Sequence, residues 1–285
     1  MKSIGLVGLG LLGSALADRL LAEGWSVSGF DIDSDRQNSL SQAGGVALNR
    51  LEDVAGFDVI LLSLPTSQVV ADVVSSLKKE LRAGQTIVDT TTGNPAEVES
   101  VADLLAGLGI DYLDATVGGS SQQARAGDVI IMAGGSVDAF DRCLALFDDL
   151  AKRTFHLGPA GSGSRMKLAV NLVLGLNRAV LAEGLGYAES LGLDPATTLE
   201  VLQASPAVSA VMETKGEKML QREFKPQARL AQHLKDVKVI LDTGQAVGAN
   251  LPMSAVHQTL LKKLVESGNG DLDNSAIIKA FHSAE

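Results

Sequence analysis

Residues 1–31 constrain this chain more than any other stretch. Ser3 to Val7 is an apolar run of strand length, followed by the turn Gly8-Leu9-Gly10-Leu11-Leu12-Gly13. A helical pattern then runs to about residue 23, and a second strand pattern, Ser26 to Phe30, ends on Asp31. Strand, glycine turn, helix, strand and terminal acid in this register form a βαβ unit that binds the phosphates of a dinucleotide. The first glycine permits the tight turn, the second leaves room for a pyrophosphate, and the third lets helix and strand approach. The pyrophosphate rests on unpaired N–H groups at the positive end of the helix. Asp31 stands where a carboxylate accepts hydrogen bonds from a ribose 2′-hydroxyl. The predicted dinucleotide contacts are therefore Gly8, Leu9, Gly10, Leu11, Leu12, Gly13 and Asp31. Lys2, the apolar run and Ala15-Leu16-Ala17 also imitate a secretory signal. Three glycines interrupt its apolar core, however, and cleavage there would start the mature chain in mid-helix.

Beyond Asp31 the alternation continues. Strand patterns fall at residues 58–64, 86–89, 111–115, 129–133 and 154–156. Helical patterns fall at 34–43 (with Ser34 as N-cap), 69–81 and 96–105, and a further one reaches about residue 150. Repeated β-then-α units predict a parallel, doubly wound sheet with helices on both faces and ligands at the carboxyl ends of its strands. The grammar changes at Gly158-Pro159-Ala160-Gly161-Ser162-Gly163, after which no convincing strand appears. Residues 164–191 are proline-free, with Leu, Ala and Val at helical spacing. As one helix they would span about 40 Å at 1.5 Å per residue. Gly175, Gly184 and Gly186 inside it predict close helix packing, since each Gly costs about 1 kcal/mol against Ala. Further helical segments fall at 195–203, 208–220, 227–246, 252–267 and 274–281. The expected division is a Rossmann-type sheet domain over residues 1–160 and an all-helical domain over 161–285.

A net charge of −10 argues against non-specific nucleic-acid binding, which needs a basic face. It leaves an anionic substrate open, because one local Lys or Arg holds a carboxylate. Cys143 is the single cysteine, which excludes an internal disulfide and fits a reducing, cytoplasmic setting. Its place among Phe140, Leu144 and Phe147 at helical spacing reads as a buried structural thiol. Apolar runs such as Val59–Leu62 are too short to span a bilayer, so no membrane partner is expected. His156, His233, His257 and His282 lack metal-ligand spacing, and neither HExxH nor GxSxG occurs; no metal is predicted.

Three stretches outside the glycine turn carry candidate chemistry. Leu64-Pro65-Thr66 and Thr90-Thr91-Thr92 follow strands and can face a bound dinucleotide, although Ser and Thr favour turns and caps in any case. The loop Gly118-Gly119-Ser120-Ser121 offers N–H and O–H donors to a carboxylate, or is a plain turn. In Gly161-Ser162-Gly163-Ser164-Arg165-Met166-Lys167, Lys167 shares a helix face with Asn171 in an otherwise apolar segment. Such a Lys either reaches water or is functional. A position beside a cationic nicotinamide suits it to proton transfer near neutral pH.

With these motifs in order, the chain resembles the β-hydroxyacid dehydrogenase family over nearly its whole length. The resemblance rests on the glycine turn, Leu64-Pro65, Asp89-Thr90-Thr91-Thr92 with Pro95, and Asp114-Ala115-x-Val117. It continues through Gly161-x-Gly163-x-x-x-Lys167-x-x-x-Asn171 and Lys235-Asp236. It implies a Rossmann domain followed by an all-helical domain organised on a long interdomain helix. It also implies an oxidoreductase that moves a hydride between NAD(H) and a small 3-hydroxy acid or its semialdehyde or keto form. Lys167 would be the catalytic acid and base. Asn171 would orient the substrate, Gly118, Gly119 and Ser120 would bind it, and Leu64, Pro65, Thr92 and Lys235 would touch the cofactor. Asp31 favours NAD, with Arg36 near enough to leave NADP open. The expected partner is a small anionic hydroxy acid or aldehyde acid. The glycine-broken long helix predicts a homodimer or homotetramer.

The chain departs from the family at one loop. The usual Asp-Ala-Pro-Val-Ser-Gly-Gly is here Asp114-Ala115-Thr116-Val117-Gly118-Gly119-Ser120. Together with Arg165 this partly resembles members that reduce a sulfonated aldehyde. Alternative readings are that sulfolactaldehyde-type activity, an imine reductase of the same fold, or a dinucleotide-binding protein without turnover.

Overall fold

The structure, a computed structural model, describes residues 2–281, so Met1 and His282 lie outside the described residues. One sheet contains β1 (Ser3–Val7), β2 (Ser26–Phe30), β3 (Val46–Ala47), β4 (Val59–Leu62), β5 (Thr86–Asp89), β6 (Asp111–Gly118), β7 (Ile130–Gly134) and β8 (Arg153–His156). Its order is β3-β2-β1-β4-β5-β6-β7-β8. With β1 between β2 and β4, the winding reverses beside β1, where open sheets of this kind bind ligands. The accompanying helices are α1 (Leu11–Ala22), α2 (Ser34–Gln42), α3 (Ser67–Leu77), α4 (Pro95–Ala106), α5 (Ser121–Arg125), α6 (Val137–Arg142) and α7 (Leu144–Leu150).

The continuous apolar run of β4 follows from burial on both faces. Leu61 packs in a core with Leu16 and Leu20 of α1. Its neighbours Ile60 and Leu62 pack in a second core with Val70 and Val74 of α3 and Leu105 of α4. A strand covered on both sides has no polar face to alternate with.

Several expectations needed correction. The sheet is not wholly parallel: β6 and β7 pair antiparallel, from Asp114 opposite Gly134 to Gly118 opposite Ile130. Their connection holds only the short α5, and a parallel return needs a longer crossover. β6 runs to Gly118 rather than stopping near residue 115. The helical pattern ending near residue 150 is two helices, broken where Cys143 leaves helical geometry at φ −96°, ψ 2°. Asp33, not Ser34, caps α2 by accepting the Asp35 N–H at 3.0 Å. Cys143 itself is buried as expected, and burial pushes its thiol up to about 11.

The helical part begins with α8 (Ser162–Ser190) and continues with α9 (Pro195–Ala204), α10 (Glu217–Leu220), α11 (Leu230–Ala246) and α12 (Pro252–Leu264). Residues 212–216 and 265–269 form π-type turns, and Asn274–Ala280 is a 3₁₀ helix. Leu181 and Leu185 of α8 join Leu199, Val237, Leu261 and Ile277 in its core. A Cβ on Gly175 would lie 2.8 Å from the His233 ring, and one on Gly186 would lie 3.0 Å from the Phe281 carbonyl. A Cβ on Gly184 would meet nothing within 4 Å in this chain. Asp273 is fully buried; it accepts hydrogen bonds from Lys215 Nζ at 2.9 and 3.0 Å, the Gln227 N–H at 2.9 Å and the Ser275 hydroxyl at 2.8 Å.

The chain divides into two compact units, Met1–Lys167 and Leu168–Glu285. The division falls inside α8. By length and composition α8 could cross a membrane. Its Leu181, Ala182 and Leu185 are buried in the helical core, while Val173, Val180 and Tyr187 are 56%, 56% and 66% exposed.

Candidate active site

At the carboxyl end of β1, Gly8 has φ +94°, and its N–H donates to the Phe30 carbonyl at 2.9 Å. A Cβ on Gly13 would lie 1.9 Å from the Gly8 carbonyl oxygen, so α1 rests directly on the turn. Gly10 is the N-cap of α1 and supplies no side-chain cap. The first-turn N–H groups of α1 thus have no capping side chain, and they are the donors a pyrophosphate takes. This cradle fits a dinucleotide. Asp31 is buried at its rim, accepting the Leu9 N–H at 2.6 Å through Oδ2 and the Asp33 N–H at 2.9 Å through Oδ1. Each carboxylate oxygen keeps a lone pair for a ribose hydroxyl. The Arg36 guanidinium, half-exposed, sits 3.5 Å from Asp31 and 3.3 Å from Asp33. Leu11, within the turn, and Ile32, next to Asp31 in the chain, are 77% and 97% exposed. The one sequence signal of Ile32 is its place as an apolar residue directly after the strand-terminal acid.

The loops after β4 and β5 are tied to each other. The Leu64 N–H donates to Thr91 Oγ1 at 3.0 Å, and Thr90 Oγ1 donates to the Leu62 carbonyl at 2.8 Å. Thr90 and Thr91 therefore serve the loops themselves. Asp89 accepts the Tyr112 hydroxyl at 2.6 Å and the Thr91 N–H at 2.8 Å. Burial pushes its carboxyl up to about 6 against those bonds. Pro65 is exposed and Thr92 half-buried beside this frame.

A second cluster is built on β6. The Asp114 carboxylate accepts the Gly161 N–H at 2.8 Å and the Ser164 N–H at 2.7 Å, both at the start of α8. Burial pushes this carboxyl up, while the Ser164 and Gly161 N–H groups hold it back. Thr116 Oγ1 donates to the Gly163 carbonyl at 3.1 Å. A Cβ on Gly163 would lie 2.3 Å from the Asp114 carbonyl oxygen, so helix backbone meets strand backbone. One turn later Lys167, half-buried, donates from Nζ to the Val117 carbonyl at 2.7 Å.

The loop after β6 is less open than its composition implies. A Cβ on Gly118 would lie 2.7 Å from Ile130 Cγ1, so the usual serine needs Ile130 to shift. Gly119 has φ +151°. Ser120 is the N-cap of α5, bonded both ways to Gln123.

The glycine turn, Asp31, Leu64, Pro65, Thr92, Gly118 to Ser120 and Lys167 all belong to the first unit. Those on strand ends share one edge of the sheet, because β1, β2, β4, β5 and β6 run parallel. Asn171, one turn beyond Lys167 on α8, and Lys235, on α11, belong to the second. Among the described residues no group of three or more His, Cys, Asp or Glu is arranged to hold a metal ion.

Residues 3–158 match the family model described as the NAD binding domain of 6-phosphogluconate dehydrogenase. Residues 161–281 match that of NAD-binding of NADP-dependent 3-hydroxyisobutyrate dehydrogenase. The chain is 32% identical to 2-hydroxy-3-oxopropionate reductase of Escherichia coli K12, over 98% of its own length and 96% of the relative's. It is also 32% identical to 2-(hydroxymethyl)glutarate dehydrogenase of Eubacterium barkeri, covering 98% and 94%. Its fold superposes on Mycobacterium tuberculosis 3-hydroxyisobutyrate dehydrogenase, solved with L-serine, with a TM-score of 0.91, 26% identity and 99% and 100% coverage. The phosphate cradle and the Lys167 helix thus occur in a chain that belongs, over its two matched parts, to the β-hydroxyacid dehydrogenase family of NAD(P)-dependent oxidoreductases.

Proposed function

We propose that this chain interconverts a small 3-hydroxy acid and its semialdehyde or keto form, with Lys167 as the catalytic acid and base. The observation that carries this reading is the Lys167 ammonium, held 2.7 Å from the Val117 carbonyl at the end of β6. The glycine cradle follows β1 on that same sheet edge. A bound nicotinamide supplies the hydride chemistry. Lys167 donates a proton to the substrate carbonyl oxygen in reduction and removes it from the hydroxyl in oxidation. Backbone N–H groups of Gly118 and Gly119 hold the substrate carboxylate; the Ser120 hydroxyl, engaged as a cap, orders that loop. Asn171 orients the substrate, while Leu64, Pro65, Thr92 and Lys235 keep the cofactor-binding roles of the family pattern. Ile32 and Leu11 offer apolar surface to the adenine ring.

Asp31 repels a 2′-phosphate, so NAD is the preferred cofactor, with Arg36 supplying the opposite charge that lets NADP be used weakly. Initial rates on 3-hydroxyisobutyrate, glycerate, serine, 2-(hydroxymethyl)glutarate and a sulfonated hydroxy acid, with NAD and NADP, test both points. The expected result is turnover of at least one 3-hydroxy acid with kcat/KM of about 10⁴ M⁻¹s⁻¹ or more. Asp31→Ala should weaken NAD and relax the preference against NADP. A parent that prefers NADP sinks the ribose argument, and reduction of cyclic imines alone moves the chain to the C=N class.

The exposed Val173, Val180 and Tyr187 of α8 are the surface through which copies associate, and the protein works as a cytoplasmic homodimer or homotetramer. Light scattering after size exclusion should give two or four chain masses; a monomer removes this inference.

A further inference from the structure

We propose that Asp114 is a positioning residue for Lys167: it seats the first turn of α8 on β6 and thereby sets where the ammonium stands. This rests on the assignment of Lys167 as acid and base. A capping box normally satisfies the N-cap and N3 N–H groups with the helix's own side chains. The Arg165 N–H bonds the Gly161 carbonyl at 2.9 Å, so Gly161 stands at the N-cap of α8 and Ser164 at N3. Glycine has no side chain with which to cap. Asp114, more than forty residues earlier, takes both donors instead, one on each carboxylate oxygen, at 2.8 and 2.7 Å.

The seat is continuous along the strand. Asp114 holds residues 161 and 164, Thr116 bonds the Gly163 carbonyl at 3.1 Å, and the Val117 carbonyl receives Lys167 Nζ at 2.7 Å. Any side chain at Gly163 would collide with the Asp114 and Met132 carbonyl oxygens, at 2.3 and 2.4 Å. Gly134 is closed in the same way, since a Cβ there would lie 2.5 Å from Asp114 Oδ1. Helix, strand and carboxylate are therefore locked at backbone distance. A Lys stem is long and flexible, and a proton donor displaced by 1 Å can lose about 10²-fold in rate. Fixing the backbone that carries it at one end, and its ammonium on the same strand at the other, removes that freedom. Thr116, where the family has Pro, adds a hydrogen bond that a proline lacks.

The experiment is a double-mutant cycle with amine rescue, alongside amide hydrogen exchange. Asp114→Asn leaves an amide nitrogen facing one N–H donor and should lower kcat about 10- to 100-fold while the Kd for NADH, read by fluorescence, changes less than about 2-fold. In a Lys167→Ala background the same change should cost nothing further. Methylamine should restore turnover equally in Lys167→Ala and in the double variant, because a free amine is not carried by α8. Thr116→Val, which removes the hydroxyl shared between the Gly163 and Met132 carbonyls, should show a smaller loss that also vanishes in the Lys167→Ala background; it serves if Asp114→Asn does not fold. Losses that multiply across the cycle, or rescue weakened by Asp114→Asn, overturn the proposal. Exchange at the Gly161 and Ser164 amides needs no substrate: it should accelerate at least tenfold in Asp114→Asn, and unchanged protection also overturns the seat. A harmless Lys167→Ala instead defeats the catalytic assignment, which exchange at those amides distinguishes from failure of the seat.

Discussion

Lys167→Ala should lower kcat for the preferred hydroxy acid by about 10² or more, the range assigned to a positioned proton donor or acceptor. The Lys167 ammonium, 2.7 Å from the Val117 carbonyl, is the cation the structure fixes at the end of β6 by a backbone acceptor. Hydride delivery to a carbonyl would leave negative charge on its oxygen, and without the Lys167 proton that charge would have to be met by water. The loss should fall on kcat, because the cradle proposed for the dinucleotide lies elsewhere, at the α1 N-terminus and the Gly8 turn. NADH binding followed by fluorescence should remain within a factor of about two of the parent, since no cradle contact is removed. Lys167→Arg should recover little, because a guanidinium stays protonated and cannot take the hydroxyl proton in oxidation. Unchanged turnover in Lys167→Ala would remove the role assigned to this residue.

The second large effect concerns stability. Asp273→Asn should destabilise the helical unit by about 3–5 kcal/mol, the cost of leaving a buried charge without its partner. Lys215, also buried, would lose both carboxylate contacts, which are what offsets the cost of burying its ammonium. Burial alone would raise the Asp273 carboxyl, but Lys215, the Gln227 N–H and Ser275 outweigh it and hold the group far below the usual carboxylate range. The sign follows from linkage. A carboxyl depressed in the folded state stabilises the fold fully above its unfolded pKa of about 3.9, and that contribution is lost as pH falls toward the folded value. Urea titrations should therefore show parent stability falling steeply below about pH 4. Asp273→Asn should be weaker at pH 7 and flatter in acid. Equal stability of the two proteins at pH 7 would contradict the pairing.

Much of the fold was legible because it rests on short-range chemistry. The glycine turn, the strand-terminal Asp31 and the two-faced apolar run of β4 each announce their environment locally. The reversal of β7 was not legible, because it is decided by the length of the connection around α5 rather than by any residue in the strand. The break at Cys143 lies within an unbroken helical periodicity, so no propensity marks it. In the site, Thr90 and Thr91 turned inward to bond loops, a choice between two uses of one hydroxyl that composition cannot make. Asp114 was visible as part of a motif, yet its bonds to Gly161 and Ser164 span most of fifty residues, and such pairings leave no periodic trace. Asp273 and Lys215 were silent for the same reason.

The lone thiol of Cys143 gives the protein an internal clock for its own opening. The side chain is 2% exposed, and burial pushes its thiol up to about 11. Alkylating reagents need thiolate and access, and the folded chain offers neither. Reaction with iodoacetamide therefore counts excursions in which the α6–α7 corner of the sheet unit comes away from its core, one mark per molecule. Because Asp273 lies in the other unit, labelling of Asp273→Asn reports whether loss of the helical core is felt by the sheet. A labelling rate equal to the parent's means that the two units open independently; a faster one means that they unfold together.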